Sequence, residues 1–133
     1  MTNLPTTDFS TLPPIMAVDF DGTLVHDRFP EIGEEKANMC GFVRRCQYFG
    51  IKTILWTSRT GDALKAAIEW CEDHDLHFTT VNENIPEVIE LTGGLDTRKV
   101  YADVYIDDRN RFVDGSIVDS QMKGLLKWLG KSV

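Results

Sequence analysis

The sequence predicts an α/β domain of three layers, with helices on both faces of a mostly parallel sheet. Short apolar or β-branched runs recur at residues 15–18, 51–56, 78–81 and 100–106. Segments with apolar residues three and four apart lie between the first three of them. Strand and helix in alternation form the pattern of parallel strands joined by crossover helices. A length of 133 residues suits one domain with its own core.

Residues 1–14 hold Thr, Ser and three of the five prolines, so a flexible tail is expected there, followed by a single domain over 15–133. Ile15-Met16-Ala17-Val18 reads as a buried parallel strand. Asp19-Phe20-Asp21-Gly22-Thr23-Leu24 follows it, and residues 25–33 are expected as a polar excursion over the strand end. A helix is expected over 34–49, with Met39, Phe42, Val43, Cys46 and Phe49 on its inner face and Gly50 as its stop. The second strand, 51–56, ends at Thr57-Ser58-Arg59. A second helix over 62–74 places Leu64, Ala67, Ile68 and Cys71 inside, with Asp62 as its cap. A third strand over 78–81, helical turns over 85–91 beginning near Pro86, and a fourth strand over 100–106 follow. A small hairpin over 112–118 and a last helix over 120–129 complete the expected order.

Composition narrows the function classes. A formal net charge of −7 disfavours a nucleic-acid backbone as partner, because such binders carry a basic face. No apolar run has the length of a membrane span, and the N-terminus lacks the basic start and apolar stretch of a signal peptide. Three cysteines without CxxC spacing read as reduced core thiols of a cytoplasmic protein.

The candidate site is built from strand ends, where ligands bind in open α/β sheets. The first strand ends in Asp19 and Asp21, the second in Thr57 and Ser58, the fourth in Asp107 and Asp108, with Lys99 just before the fourth. Two carboxylates about 4 Å apart repel by about 4 kcal/mol at an effective dielectric of 20, so such a crevice needs a proton or a cation. Oxygen ligands without Cys or His favour Mg²⁺ over Zn²⁺. A hydroxyl, an ammonium and a divalent cation around an acidic nucleophile are what phosphoryl transfer requires.

These residues, in this order, resemble the haloacid dehalogenase (HAD) superfamily of phosphohydrolases and phosphotransferases. Asp19-Phe20-Asp21-Gly22-Thr23-Leu24 matches the family's first motif, Thr57 the second, Lys99 the third and Asp107-Asp108 the fourth. The resemblance implies a Rossmann-like domain and a Mg²⁺-dependent phosphatase acting on a phosphomonoester. It implies Asp19 as nucleophile and Asp21 as general acid/base, with the Asp21 backbone carbonyl on the metal. Thr57 would hydrogen-bond the phosphoryl oxygens, and Lys99 would neutralise their charge and hold Asp19. Asp108, with Asp107 second, would bind Mg²⁺. Gly22, Thr23, Ser58, Arg59 and Arg109 make up the expected substrate-binding set.

The gaps between Leu24 and Thr57 and between Val81 and Lys99 are too short for the cap domain that the family usually inserts. A capless member leaves its site open or shields it with a second subunit of a homo-oligomer, and a small phosphorylated metabolite is the expected substrate. Two other classes stand beside this reading, a receiver-like phosphoacceptor and a non-catalytic binding module. A receiver carries its phosphoacceptor Asp mid-chain after an early acidic pair, with its Lys last, whereas here the Asp-x-Asp-Gly-Thr stretch comes first and the acidic pair last. A binding module would leave catalytic positions unfilled, and here each is filled.

Several residues invite a role without requiring one. Cys71, His74 and His77 recur every third position but lack a fourth zinc ligand. His26, Asp27 and Arg28 either line the entrance or form a solvated loop. Asn82, Glu83 and Asn84 close the third strand and are candidates to face substrate. Trp56, Trp70 and Trp128 read as packing residues.

Overall fold

The structure is a computed structural model that describes residues 9–109. Its strands are β1 (Ile15–Val18), β2 (Val25–Arg28), β3 (Glu31–Glu35), β4 (Lys52–Leu55), β5 (Thr80–Val81) and β6 (Val104–Ile106), and its helices are α1 (Ala37–Tyr48), α2 (Gly61–Asp73) and α3 (Pro86–Leu91). The main sheet has the order β5-β4-β1-β6, and all of its described pairings are parallel. The expected three-layer α/β architecture, of Rossmann-like type, is therefore the one observed.

β1 is interior, with Val18 opposite Leu55 on one side and Ile106 on the other, and its four residues are all buried. This explains a run without polar alternation, since both faces of the strand are covered. Met16 and Val18 face α1 and α2, joining Phe42, Val43, Ala67 and Cys71 in one core. Ile15 and Ala17 face the opposite side, with Ile54, Ile85, Val88 and Val100. Burial pushes the thiols of Cys40 and Cys46 up to about 11 and that of Cys71 up to about 12. They are therefore neutral packing groups at physiological pH.

The structure departs from the sequence expectations in five places. The excursion over 25–33 is an antiparallel hairpin, β2–β3, turning at Phe29 and Pro30 across a cis peptide bond. Gly33 lies against the His26 carbonyl, where a Cβ would overlap it, so glycine lets the two strands close. β3 takes Glu34 and Glu35, and α1 accordingly starts at Ala37. Phe49 falls just past the end of α1 and is 53% exposed, so the inner stripe ends at Cys46. Thr60, not Asp62, is the N-cap of α2, and Asp62 sits in its first turn. The strands at 78–81 and 100–106 shrink to β5 and β6, because residues 100–103 serve the second core and a loop.

The tail also differs. From Phe9 onward it packs on the domain, through a 3-10 turn at Phe9–Thr11, a Phe9–Tyr101 ring stack at 4.7 Å and Leu12 against the second core. The hairpin and helix expected at 112–118 and 120–129 lie outside the described residues. The segment from Leu24 to Thr57 holds only the hairpin, α1 and β4, so no inserted domain lies there. Among the described residues no helix is long and apolar enough to cross a membrane.

Phe42→Ala should lower the unfolding free energy by about 3–5 kcal/mol in urea, because it empties a fully buried site. Tyr48→Ala, on the same helix but 85% exposed, should change it by less than about 0.5 kcal/mol.

Candidate metal and phosphoryl site

Parallel pairing on both edges of β1 brings three strand ends together. The Asp19 N–H donates to the Ile106 carbonyl at 2.9 Å, and the Trp56 N–H donates to the Val18 carbonyl at 2.8 Å. Asp19, Thr57 and Asp107 consequently emerge side by side. One carboxylate oxygen from each of Asp19, Asp107 and Asp108 lies within 4.8 Å of the other two. At that spacing each ionised pair repels by about 3.5 kcal/mol at an effective dielectric of about 20. Burial, then the charges of Asp107 and Asp108 and a hydrogen bond shared with Asp108, push the Asp19 carboxyl up to about 7.

The turn after β1 shapes the floor of the cluster. The N–H groups of Thr23, Leu24 and Val25 all point to the Phe20 carbonyl. The buried Thr23 hydroxyl donates to Asp19 Oδ2 at 3.3 Å. Gly22 has φ +83°, and a Cβ there would fall on the Asp108 carboxylate. Glycine is thus required twice over, by backbone conformation and by the space the carboxylate occupies. The cluster offers oxygen donors alone, from hard anionic groups that suit Mg²⁺ better than a thiolate-seeking metal.

Asp21 is placed differently. Its Oδ2 accepts from Arg59 Nε at 2.7 Å and its Oδ1 from Arg59 Nη2 at 2.8 Å, a bidentate pair. Arg59 was expected to offer its guanidinium to an anionic substrate, and the structure corrects this. The side chain is 1% exposed, and its remaining donors go to the carbonyls of Pro30, Glu31 and Ala63. An unpaired buried guanidinium is expensive, and the Asp21 carboxylate supplies its counter-charge.

The other expected residues divide. Thr57 stands at the cluster's edge, its N–H held by Asn82 Oδ1 at 2.8 Å and its Oγ1 accepting the Arg59 N–H at 3.1 Å. Asn82 therefore supports Thr57, and Asn84 is buried among Asp96, Thr97 and the Tyr101 N–H. Ser58 is exposed beside them. The Arg109 N–H donates to Asp107 Oδ1 at 2.8 Å, which fixes one oxygen of that carboxylate. Lys99 does not pair with Asp19; its ammonium lies over the Tyr105 ring, 5.3 Å from the centroid, and the residue is exposed. His26, Asp27 and Arg28 are exposed on β2.

Cys71 is core, His74 stacks on Trp70, and His77 pairs with Asp75 and Glu72, hydrogen bonds that raise its pKa. One contributor escaped the sequence reading. Lys36 Nζ donates to the Gly22 carbonyl at 2.8 Å, and its N–H to the Leu24 carbonyl, tying the turn to the start of α1. A lone lysine twelve residues beyond the motif carries no periodic signal, so nothing in the sequence marked it.

The raised Asp19 carboxyl makes stability pH-dependent. A group protonated more readily in the folded state contributes fully below the unfolded value near 3.8, and this contribution is lost as pH rises toward about 7. In EDTA, the wild type should lose stability relative to Asp19→Asn between pH 4 and pH 8. After discounting for solvent around this half-buried group, the difference should be about 1–2 kcal/mol in urea denaturation.

No family model matches the chain, and no curated protein matches it. A solved structure does: the conserved protein coded by a locus of Bacteroides thetaiotaomicron is similar to it at 37% identity with a TM-score of 0.71. The match covers 92% of this chain and 93% of that one. At that identity over nearly the full length of both proteins, this chain belongs to the same family as the conserved Bacteroides thetaiotaomicron protein.

Proposed function

We propose that the chain is a Mg²⁺-dependent, capless HAD-type phosphatase that hydrolyses a phosphomonoester through an aspartyl-phosphate on Asp19. The observation that carries this reading is the clustering of Asp19, Asp107 and Asp108 at the ends of adjacent parallel strands, where burial and then the neighbouring charges hold the Asp19 carboxyl above its ordinary range.

Asp19, Asp107 and Asp108 would hold Mg²⁺, with the Asp21 backbone carbonyl. When bound, the ion supplies charge neutralisation to the carboxylates and to a phosphoryl group beside them. Asp19 is the nucleophile. Its oxygen bonds to phosphorus as the bond to the leaving oxygen breaks, and the leaving oxygen takes a proton. Water then attacks phosphorus, the Asp19 oxygen departs as carboxylate, and inorganic phosphate is released. Asp21 is the acid in the first step and the base in the second, which requires its carboxylate to face the leaving oxygen. In the conformation seen, both of its oxygens are engaged by Arg59.

The Thr23 hydroxyl on Asp19 Oδ2 orients the nucleophile, leaving the other oxygen for phosphorus. Thr57, with its backbone pinned by Asn82, offers a hydroxyl to a phosphoryl oxygen. Lys99, free of ion pairs among the described residues, is the cation to swing from Tyr105 toward bound phosphate. A small phosphorylated metabolite is the proposed substrate, and a second subunit is the simplest shield for a site without a cap.

Phosphate release from p-nitrophenyl phosphate and a metabolite panel should require Mg²⁺ and stop in EDTA. Asp19→Asn should lower kcat at least about a thousandfold with the fold intact by circular dichroism. Absence of Mg²⁺-dependent turnover on every phosphomonoester rules the reading out. Mg²⁺ at 100 times its Kd should raise wild-type stability at pH 8 by about 2.7 kcal/mol, and Asp108→Asn should remove most of that gain.

A further inference from the structure

We infer that Arg59 is a positioning residue that joins Asp21 and the β2–β3 hairpin into one mechanical unit; the inference rests on the phosphatase reading for its kinetic readout alone.

The five hydrogen bonds of the guanidinium reach three separate segments. Two go to the Asp21 carboxylate at the end of β1, two to the hairpin tip through the Pro30 and Glu31 carbonyls, and one to the Ala63 carbonyl in the first turn of α2. The rings of Phe20 and Phe29 lie 5.2 and 5.1 Å from the guanidinium carbon. A guanidinium is a rigid planar fork, so its partners are fixed relative to one another. Turning the Asp21 carboxylate breaks two charge-assisted bonds, and lifting the hairpin tip breaks two more.

The hairpin needs such an anchor. Its strands pair with each other and not with the main sheet. Its base is held by the Gly22 N–H on the Val25 carbonyl and by Lys36 on Leu24. Among the described residues, the hydrogen bonds from its tip to the rest of the domain are those from Arg59. Phe29, 59% exposed, rides on the same unit, so the orientation of Asp21 and the height of this aromatic surface change together.

Amide hydrogen exchange on the full chain tests the coupling without reference to activity. Asp21→Asn removes one anionic partner at a solvent-accessible, isosteric position and should speed exchange of amides 25–35 by about tenfold, with β1 and β4 unchanged. Arg59→Lys keeps the charge, loses the fork and should do the same. Unchanged hairpin exchange in Asp21→Asn overturns the inference, and this variant decides even where Arg59→Lys does not fold. In p-nitrophenyl phosphate turnover, Arg59→Lys should lower kcat with little change in KM. The Asp21→Asn, Arg59→Lys double variant should be no slower than Asp21→Asn alone. Additive losses overturn the inference. A wild type with no turnover removes the phosphatase reading, and the exchange result still decides the coupling.

Discussion

Strand β1 has its hydrogen-bonding edges committed to β4 on one side and β6 on the other, and its two faces committed to two cores. A shift by one residue would swap Met16 and Val18 with Ile15 and Ala17 between the two cores and would displace Asp19 from the strand end. The position of Asp19 is therefore set by packing that has nothing to do with chemistry. The same holds for Asp107, whose height is fixed by Ile106 beside Val18. Like charges are held together because the apolar strands beneath them have one good register.

Two carboxylates separated by a single residue meet opposite fates. Asp19 faces other acids and is left short of counter-charge. Asp21 is given a guanidinium that is itself out of water, while the carboxylate keeps one side toward solvent. The turn thus carries an electrostatic deficit and an electrostatic anchor on neighbouring side chains. Gly22 follows them and makes room for the Asp108 carboxylate.

Much of this was legible in the chain. The apolar runs located β1, β4 and the region of β6, and the three-and-four spacing located α1 and α2, because burial imposes those periods directly. The acidic residues of the cluster were legible from their places at strand ends. The hairpin was not, since Val25-His26-Asp27-Arg28 and Glu31 to Glu35 are mostly exposed and present no apolar alternation. Arg59 was misread for a related reason. An arginine after a strand reads as surface, and its burial depends on carbonyls from a hairpin that the sequence did not announce. The placement of Lys99 on Tyr105 likewise depends on a tertiary contact that local pattern does not encode.

The two-stranded ladder of β2 and β3 has a further meaning for how such proteins diversify. It stands outside the main sheet, between the end of β1 and the start of α1, with its base clamped by Gly22, Leu24 and Lys36. Lengthening a connection whose ends are already held together carries only a small entropic penalty, growing with the logarithm of its length. Natural variation in chain length can therefore collect at this point while the registers of the parallel strands stay as they are.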